Sequence, residues 1–441
     1  MDRVRRLWVG LAAVIAARLV AYALIPLCSE DAYITFHAAL DPAWRIAATS
    51  PVWLFLVSGS QHPDMMARFW SLLADCGAVW AAWRVLCPTV RPTKLTGPGV
   101  NKPDPWLPMG SPGYWAFLAL WVSPFFTGSA VSGLETHVVA AAMLVARVHP
   151  AGYAVAAMLR PDAAVLALCA SGRKWVWALA GASVLALVAL CTTGHVIPQT
   201  ITSKLLTYGV HPGSWEWLHP QGFGWMTLAL PLAFFSKARR YVVAAAAFLL
   251  AHVAIGTVAH WWYAVPPLAM LGFAACERIR RPWHLWAALA VIAAFAYPQG
   301  KVLWARTQQE AQLWRTGQEF ATHHPQGSIL LEPAGMIPYL NPQLTVYDDV
   351  GLLDPWMAAR RARGRGWRTD ALEHYRPRWL IVRLREYIFP GTWQIGQAYY
   401  GPGDSVLPDY GAVWAPGVTM VRPGIGKTKM VSSNLVILAR R

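Results

Sequence analysis

The sequence predicts a polytopic α-helical membrane protein of about ten transmembrane helices, with a small C-terminal α+β domain after them. Three observations predict it. Hydrophobic residues make up 56% of the 441 and charged residues only 14%, where a soluble chain has about a quarter charged. Apolar runs of spanning length follow one another to about residue 300. Between them the Arg and Lys stand in short clusters, the positive-inside signature. Topology therefore accounts for the net charge of +16, and nucleic acid is not a partner. The 25 Trp and 33 Pro agree, since Trp gathers at membrane interfaces and buried membrane helices tolerate Pro.

The first helix, 7–27, follows Arg3, Arg5 and Arg6. It is long enough to span and has no small-residue cleavage site, so it reads as an uncleaved helix with a cytoplasmic N-terminus. Cys28 to Ser50 then lie outside, an apolar piece 51–59 re-enters the interface, and 65–86 returns. The Pro/Gly-rich stretch 87–112 is cytoplasmic, and 113–130 with 134–148 form a hairpin. Segment 151–171 is broken at Arg160-Pro161-Asp162 into two half-helices, because Pro161 removes a backbone donor and disfavours helix at the residue before it. Helix 175–193, an outer loop 194–222, and spans 223–235, 241–258, 261–276 and 283–299 complete the module.

The transmembrane module is thus 1–299, and 300–441 is an extracytoplasmic domain. Helical periodicity runs through 301–323. β-like runs follow at Ser328–Glu332, Leu344–Tyr347, Trp379–Leu384, Ala412–Trp414 and Leu435–Ala439. All six cysteines lie in the membrane half with no CxxC and no His at ligand spacing, so they read as small apolar residues. No metal site is expected from them.

Ionisable groups near membrane depth are costly and seldom idle. Up to Pro298 there are only eleven carboxylates, and two adjoin just outside the first helix: Glu30 and Asp31. Such a pair, followed by an aromatic amphipathic stretch, suits a base that removes a proton from a hydroxyl; a solvated loop start is the plain alternative. The pair could also hold a divalent cation, although no ligand set is complete. Arg160 lies within an apolar segment, where it either meets an anion or pairs with Asp162. Lys204 sits in an almost uncharged outer loop, where it either binds an anion or snorkels. Glu135, at the hairpin turn, is expected to cap the helix that follows. Asp348, Asp349 and Asp354 read as loop and capping residues, with a second acidic site as the alternative; the Arg-rich stretch 360–385 either meets anionic headgroups or an anionic glycan or is a solvated basic face.

The order Glu30-Asp31-Ala32-Tyr33-Ile34, Thr49-Ser50-Pro51-Val52-Trp53, Gly133-Leu134-Glu135-Thr136 and Arg160-Pro161-Asp162 resembles the GT-C superfamily of polyprenyl-phosphate-sugar glycosyltransferases. It is most similar to the branch of the mycobacterial terminal arabinofuranosyltransferases. Pro198-Gln199-Thr200 with Lys204, His260-Trp261-Trp262-Tyr263 with Pro266, and Ala334-Gly335-Met336-Ile337-Pro338-Tyr339 leading to Asp349-Val350-Gly351-Leu352-Leu353-Asp354 extend the resemblance over most of the chain. The departures are a short first loop (Asp41-Pro42-Ala43-Trp44-Arg45), Ala163 for Gly, Gln199 for Asn, and Trp262 for Arg.

The resemblance implies a GT-C-like fold and an inverting transfer at the outer face of a bacterial plasma membrane. A sugar such as arabinofuranose moves from a polyprenyl-phosphate donor to a cell-envelope glycan or lipid-glycan acceptor. It assigns Asp31 as base with Glu30 beside it, Lys204, Arg160 and His260 to the donor phosphate, and Tyr33, Glu135, Asp162 and Tyr263 as supporting residues. The rival reading is a lipid-linked sugar transporter or flippase, against which the chain shows no matching halves.

Overall fold

A computed structural model describes residues 3–48, 50–87, 111–208, 233, 238–255, 261–332, 334–363, 366–383, 394–395, 398–399, 410–414 and 435–440. The loop 88–110, the expected span 223–235 (Ala233 apart) and His260 lie outside them. The chain divides into two compact units. The first is Met1–Pro26, Asp64–Val188 and His211–Trp304; the second is Leu27–Pro63, Ala189–Val210 and Ala305–Arg441. This partition differs from a linear division at residue 299, because two segments of the apolar half belong with the C-terminal one.

The first unit is helical throughout its described residues. It holds α1 (Arg3–Leu24), α4 (Pro63–Leu86), α5 (Pro112–Trp121), α6 (Pro124–Val131), α7 (Thr136–Val145), α8 (Ala151–Leu159), α9 (Pro161–Ser171), most of α10 (Trp175–Thr193), α12 (Arg239–Ile255), α13 (Trp261–Cys276) and the first part of α14 (Pro282–Thr322). α7 packs on α8 and α13, α12 packs on α9 and α13, and α1 lies against α5 and α6. The break expected before Pro161 is present: Arg160 is extended at φ −149° and ψ 139°, ending α8 and leading into α9.

About ten spans were expected. Among the described residues three helices are long and apolar enough to cross a membrane, Val4–Leu24, Pro161–Thr193 and Pro282–Thr322, and four if the pair α5 and α6, bent by 52°, counts as one. The difference lies in length and charge. α7 and α13 are apolar but shorter than the ~20 residues a bilayer needs. α4 is long but carries Asp64, Arg68, Asp75 and Arg84. Residues 283–299 and 301–323, expected as two helices, form the single helix α14, with Pro298 inside it.

The second unit is α+β. Its five-stranded sheet has the order β2-β1-β3-β7-β6, from β1 (Ser328–Leu331), β2 (Thr345–Asp348), β3 (Trp379–Arg383), β6 (Tyr410–Trp414) and β7 (Leu435–Arg440); β4 (Gln394–Ile395) and β5 (Ala398–Tyr399) form a separate ribbon. β1 pairs parallel with β2 and with β3, while β7 pairs antiparallel with β3 and β6. Strand alternation builds a core on each face. Leu330 and Leu380 pack with Met357, Trp367, Ala371 and Leu372, whereas Ile329, Leu331 and Ile381 pack with Phe320, Ile337 and Leu344.

The helices of this unit are α2 (Glu30–Leu40), α3 (Pro51–Val57), α11 (Gln199–Tyr208), α15 (Met336–Leu340), α16 (Pro355–Ala362), α17 (Trp367–Tyr375) and the end of α14. A third cluster attaches the Leu27–Pro63 segment: Ile34, Ala38, Trp44, Ala47 and Leu54 pack with Val350 and Leu352. The outer loop expected at 194–222 contains α11, and the basic stretch contains α16 and α17.

Candidate functional site

Glu30 and Asp31 form the first turn of α2. Ser29 stands at the N-cap without a side-chain cap bond. The free backbone donor of Glu30 instead goes to Glu310 Oε2, at 3.0 Å. The side chain of Glu30 accepts from the Gly335 N–H at 2.5 Å. Gly335 permits this docking because a Cβ there would stand 2.1 Å from the Glu30 carbonyl oxygen. Tyr33, one turn on, is 3% exposed, with its ring 5.1 Å from Tyr339 and 5.3 Å from Trp314. Tyr33 thus supports by packing.

The result is a set of carboxylates, Glu30, Asp31, Glu310 and Glu332, beyond the carboxyl end of β1. β1 lies between β2 and β3, parallel to both; the chain passes from β1 to β2 on one side and then from β2 across to β3 on the other, so the strand order reverses beside β1, the kind of place where open α/β sheets collect ligands. Burial first, then Asp31, Glu310 and Glu332, hold the Glu30 carboxyl well above the usual carboxylate range, against the Gly335 N–H. Burial likewise pushes Glu310 up to about 7, with Arg306 (3.4 Å away) opposing it. Asp31 is half-buried, and its carboxylate has no hydrogen bond or ion pair among the described residues. It is the member left available for chemistry. Among the described residues no group of three or more His, Cys, Asp and Glu is arranged to hold a metal ion.

Lys204 lies in the same unit, half-buried on α11 and without hydrogen bond or ion pair among the described residues. Its neighbour Ser203 donates to the Gly351 carbonyl at 2.6 Å. Arg160 belongs to the first unit and is already engaged. Its Nε and one terminal nitrogen each donate to Asp162 at 2.8 Å, the other terminal nitrogen donates to Thr136 at 2.9 Å and lies 3.5 Å from Glu135, and the guanidinium stands 5.0 Å over the Tyr263 ring. The ion pair with Asp162 expected of Arg160 is present, with Glu135 and the Tyr263 ring also against the guanidinium. Glu135 occupies the N-cap of α7 but makes no side-chain cap bond, which corrects the capping expectation.

In the second unit the loop and capping roles are present. Asp348 accepts from the Leu352 and Leu353 N–H groups, and Asp354 accepts from Trp356. The arginines of 360–385 are in part committed: Arg361 and Arg368 to Asp349, and Arg360 to Asp370.

One ionic cluster escaped the sequence reading. Arg18 of α1 donates to Asp75 of α4 through Nε at 2.9 Å, and to Thr127 and the Trp121 carbonyl at 2.7 and 2.8 Å. Asp75 also accepts from Trp121 Nε1 at 2.6 Å and faces His137 Nε2 at 2.8 Å, while His137 Nδ1 lies 2.8 Å from Ser129 Oγ. Arg18, Asp75, Ser129 and His137 are all fully buried. The one signal available was a lone charge inside each of two apolar runs. Arg18, Asp75, Ser129 and His137 each have a partner within the cluster, which reads as a tie between helices.

Residues 301–416 match a family model described as a domain of unknown function, DUF8728. The match takes in Glu310, Glu332 and Gly335 and leaves Glu30 and Asp31 outside it. No curated protein and no solved structure matches the chain.

Proposed function

We propose that the protein is a GT-C-type glycosyltransferase of the plasma membrane, moving a sugar from a polyprenyl-phosphate donor to a hydroxyl of a cell-envelope glycan at the outer face. The carrying observation is Asp31: a half-buried carboxylate without hydrogen bond or ion pair among the described residues, beside the buried carboxylates of Glu30 and Glu310. Asp31 takes the proton of the acceptor hydroxyl as its oxygen attacks the anomeric carbon from the face opposite the phosphate. The bond from that carbon to the phosphate oxygen breaks, its electron pair stays with the oxygen, and lipid phosphate departs with the configuration inverted. Lys204 is the cation assigned to the departing phosphate.

The membrane part of the reading is supported by the exposed faces of the apolar helices. α14 exposes Trp283, Trp286, Tyr297 and Trp304, and Trp286 and Trp304 stand roughly 27 Å apart along it at ~1.5 Å per residue. That matches a hydrocarbon core of about 30 Å edged by aromatic belts. Arg278, Arg280 and Arg281 precede the helix, on the side the positive-inside rule makes cytoplasmic.

The test is turnover by the full chain in nanodiscs supplied with a panel of polyprenyl-phosphate sugars and a glycan acceptor. Asp31→Asn is expected to lose about 10²–10⁴-fold in rate. Unchanged turnover in that variant removes Asp31 as the base. A wild type that consumes no donor ends the transferase reading and leaves the transporter.

A further inference from the structure

α11 has its polarity reversed. Thr200 and Ser203 are fully buried, against the turn of Gly351 and against α16, while Leu205 and Leu206 are 46% and 44% exposed. Just ahead of the helix, Val196 and Ile197 are 57% and 61% exposed. At 100° per residue Leu205, Thr202 and Leu206 share one side, and Thr200 and Ser203 the opposite one. A helix facing water would turn its hydroxyls out and its leucines in.

The chain leading into α11 says what covers the leucines. α10, the end of an apolar run long enough to span, closes at Thr193, and Gly194 turns the chain at φ +75°. The residues 194–198 reach at most about 18 Å at ~3.6 Å each, so α11 starts near the end of that run. Lys204 lies on the border between the buried and the exposed sides, a stem along apolar surface with its ammonium free to reach a polar layer.

We infer that α11 is an interfacial helix whose Leu205–Leu206 side rests in the outer leaflet, with Lys204 at the level of the lipid phosphates. The inference rests on the membrane part of the reading above and names the surface on which a lipid-borne phosphate would meet Lys204.

The experiment uses the full chain in nanodiscs of phosphatidylcholine with phosphatidylglycerol, carrying a genetically encoded diazirine residue at 205. A control carries it at the exposed Glu373 of α17. Both replaced side chains are exposed, so neither change removes core packing. Lipid adducts at 205 and none at 373 are expected. Adducts at 205 with water alone, or with a second protein chain alone, overturn the inference. Lys204→Gln is expected to keep the lipid adduct at 205 while removing its preference for phosphatidylglycerol; an unchanged preference overturns the part assigned to Lys204. The readout needs no donor turnover, so lipid adducts in a protein that transfers no sugar would separate this inference from the enzymatic one.

Discussion

Buried charge is handled in opposite ways around Arg18 and Arg160 of the first unit and around Glu30 of the second. In the first, Asp75 meets the Arg18 guanidinium and the Trp121 and His137 ring nitrogens, and Arg160 meets Asp162 and Glu135. In these two clusters each guanidinium nitrogen donates a hydrogen bond and each guanidinium meets a carboxylate. In the second, Glu30 faces three other carboxylates, with one backbone N–H to relieve it. Matched charge ties helices together, because separating it leaves an ion alone in an apolar medium. Unmatched charge of one sign does not tie anything. It raises proton affinity, which is what a base requires, and its cost has to be met by the packing of Tyr33, Tyr339 and Trp314 beside it.

The largest expected effect on stability comes from breaking the matched set. Asp75→Ala leaves Arg18 buried and uncompensated, which costs about 3–5 kcal/mol. Thermal unfolding of the purified protein in detergent measures it. The double variant Arg18→Met with Asp75→Leu removes both charges and should recover most of the loss. A melting temperature unmoved by Asp75→Ala would show that the network is ornamental and that the contrast between the units is empty.

Next in size is the docking of the acidic set. Gly335→Ala places a methyl group 2.1 Å from the Glu30 carbonyl oxygen and 2.8 Å from its Oε1, so backbone has to shift. The expected cost is about 1–3 kcal/mol, confined to the second unit. Hydrogen exchange should accelerate in Glu30–Leu40 and stay unchanged in α7 and α13. Uniform acceleration over both units would mean that α2 is not held through Gly335.

Much of this was legible before any coordinates, and what was missed has physical reasons. The break at Pro161 was readable because proline acts on its own backbone and on the residue before it. The strands around Leu330 and Leu380 were readable because alternation is local. α11 was hidden because its apolar residues face outward, so the pattern resembles a polar loop with stray leucines. α14 was divided at Pro298 and Lys301, but a proline can be carried inside a long helix, and α14 runs through it. Arg18 disappeared into a hydropathy average, and its partner Asp75 is distant in sequence; pairing of that kind exists only in three dimensions. Of the site, the adjoining pair Glu30 and Asp31 stood out along the chain. Glu310 and Glu332 did not, since nothing along the chain links them to residue 30.

The smallest effect is the proton that burial favours on Glu310. Glu310 has a folded-state pKa near 7, above the 4.5 of an ordinary glutamate. Between those values the native state binds the proton more tightly than the unfolded chain does, so stability falls as pH rises through the window. Glu30 and Asp348, raised in the same direction, slope the same way. His37, which burial lowers to about 4, slopes oppositely between 6.5 and 4, because the native state then binds fewer protons. The total is therefore blurred, and the informative quantity is the difference between wild type and Glu310→Gln. Glutamine keeps an acceptor for the Glu30 N–H and has no charge to titrate. Denaturant titrations at intervals from pH 4.5 to 7.5 should show the wild type losing stability relative to the variant as pH rises. Parallel curves would mean that burial does not raise Glu310 in the folded protein, and that the carboxylates beside Glu30 carry no cost for the packing of Tyr33, Tyr339 and Trp314 to meet.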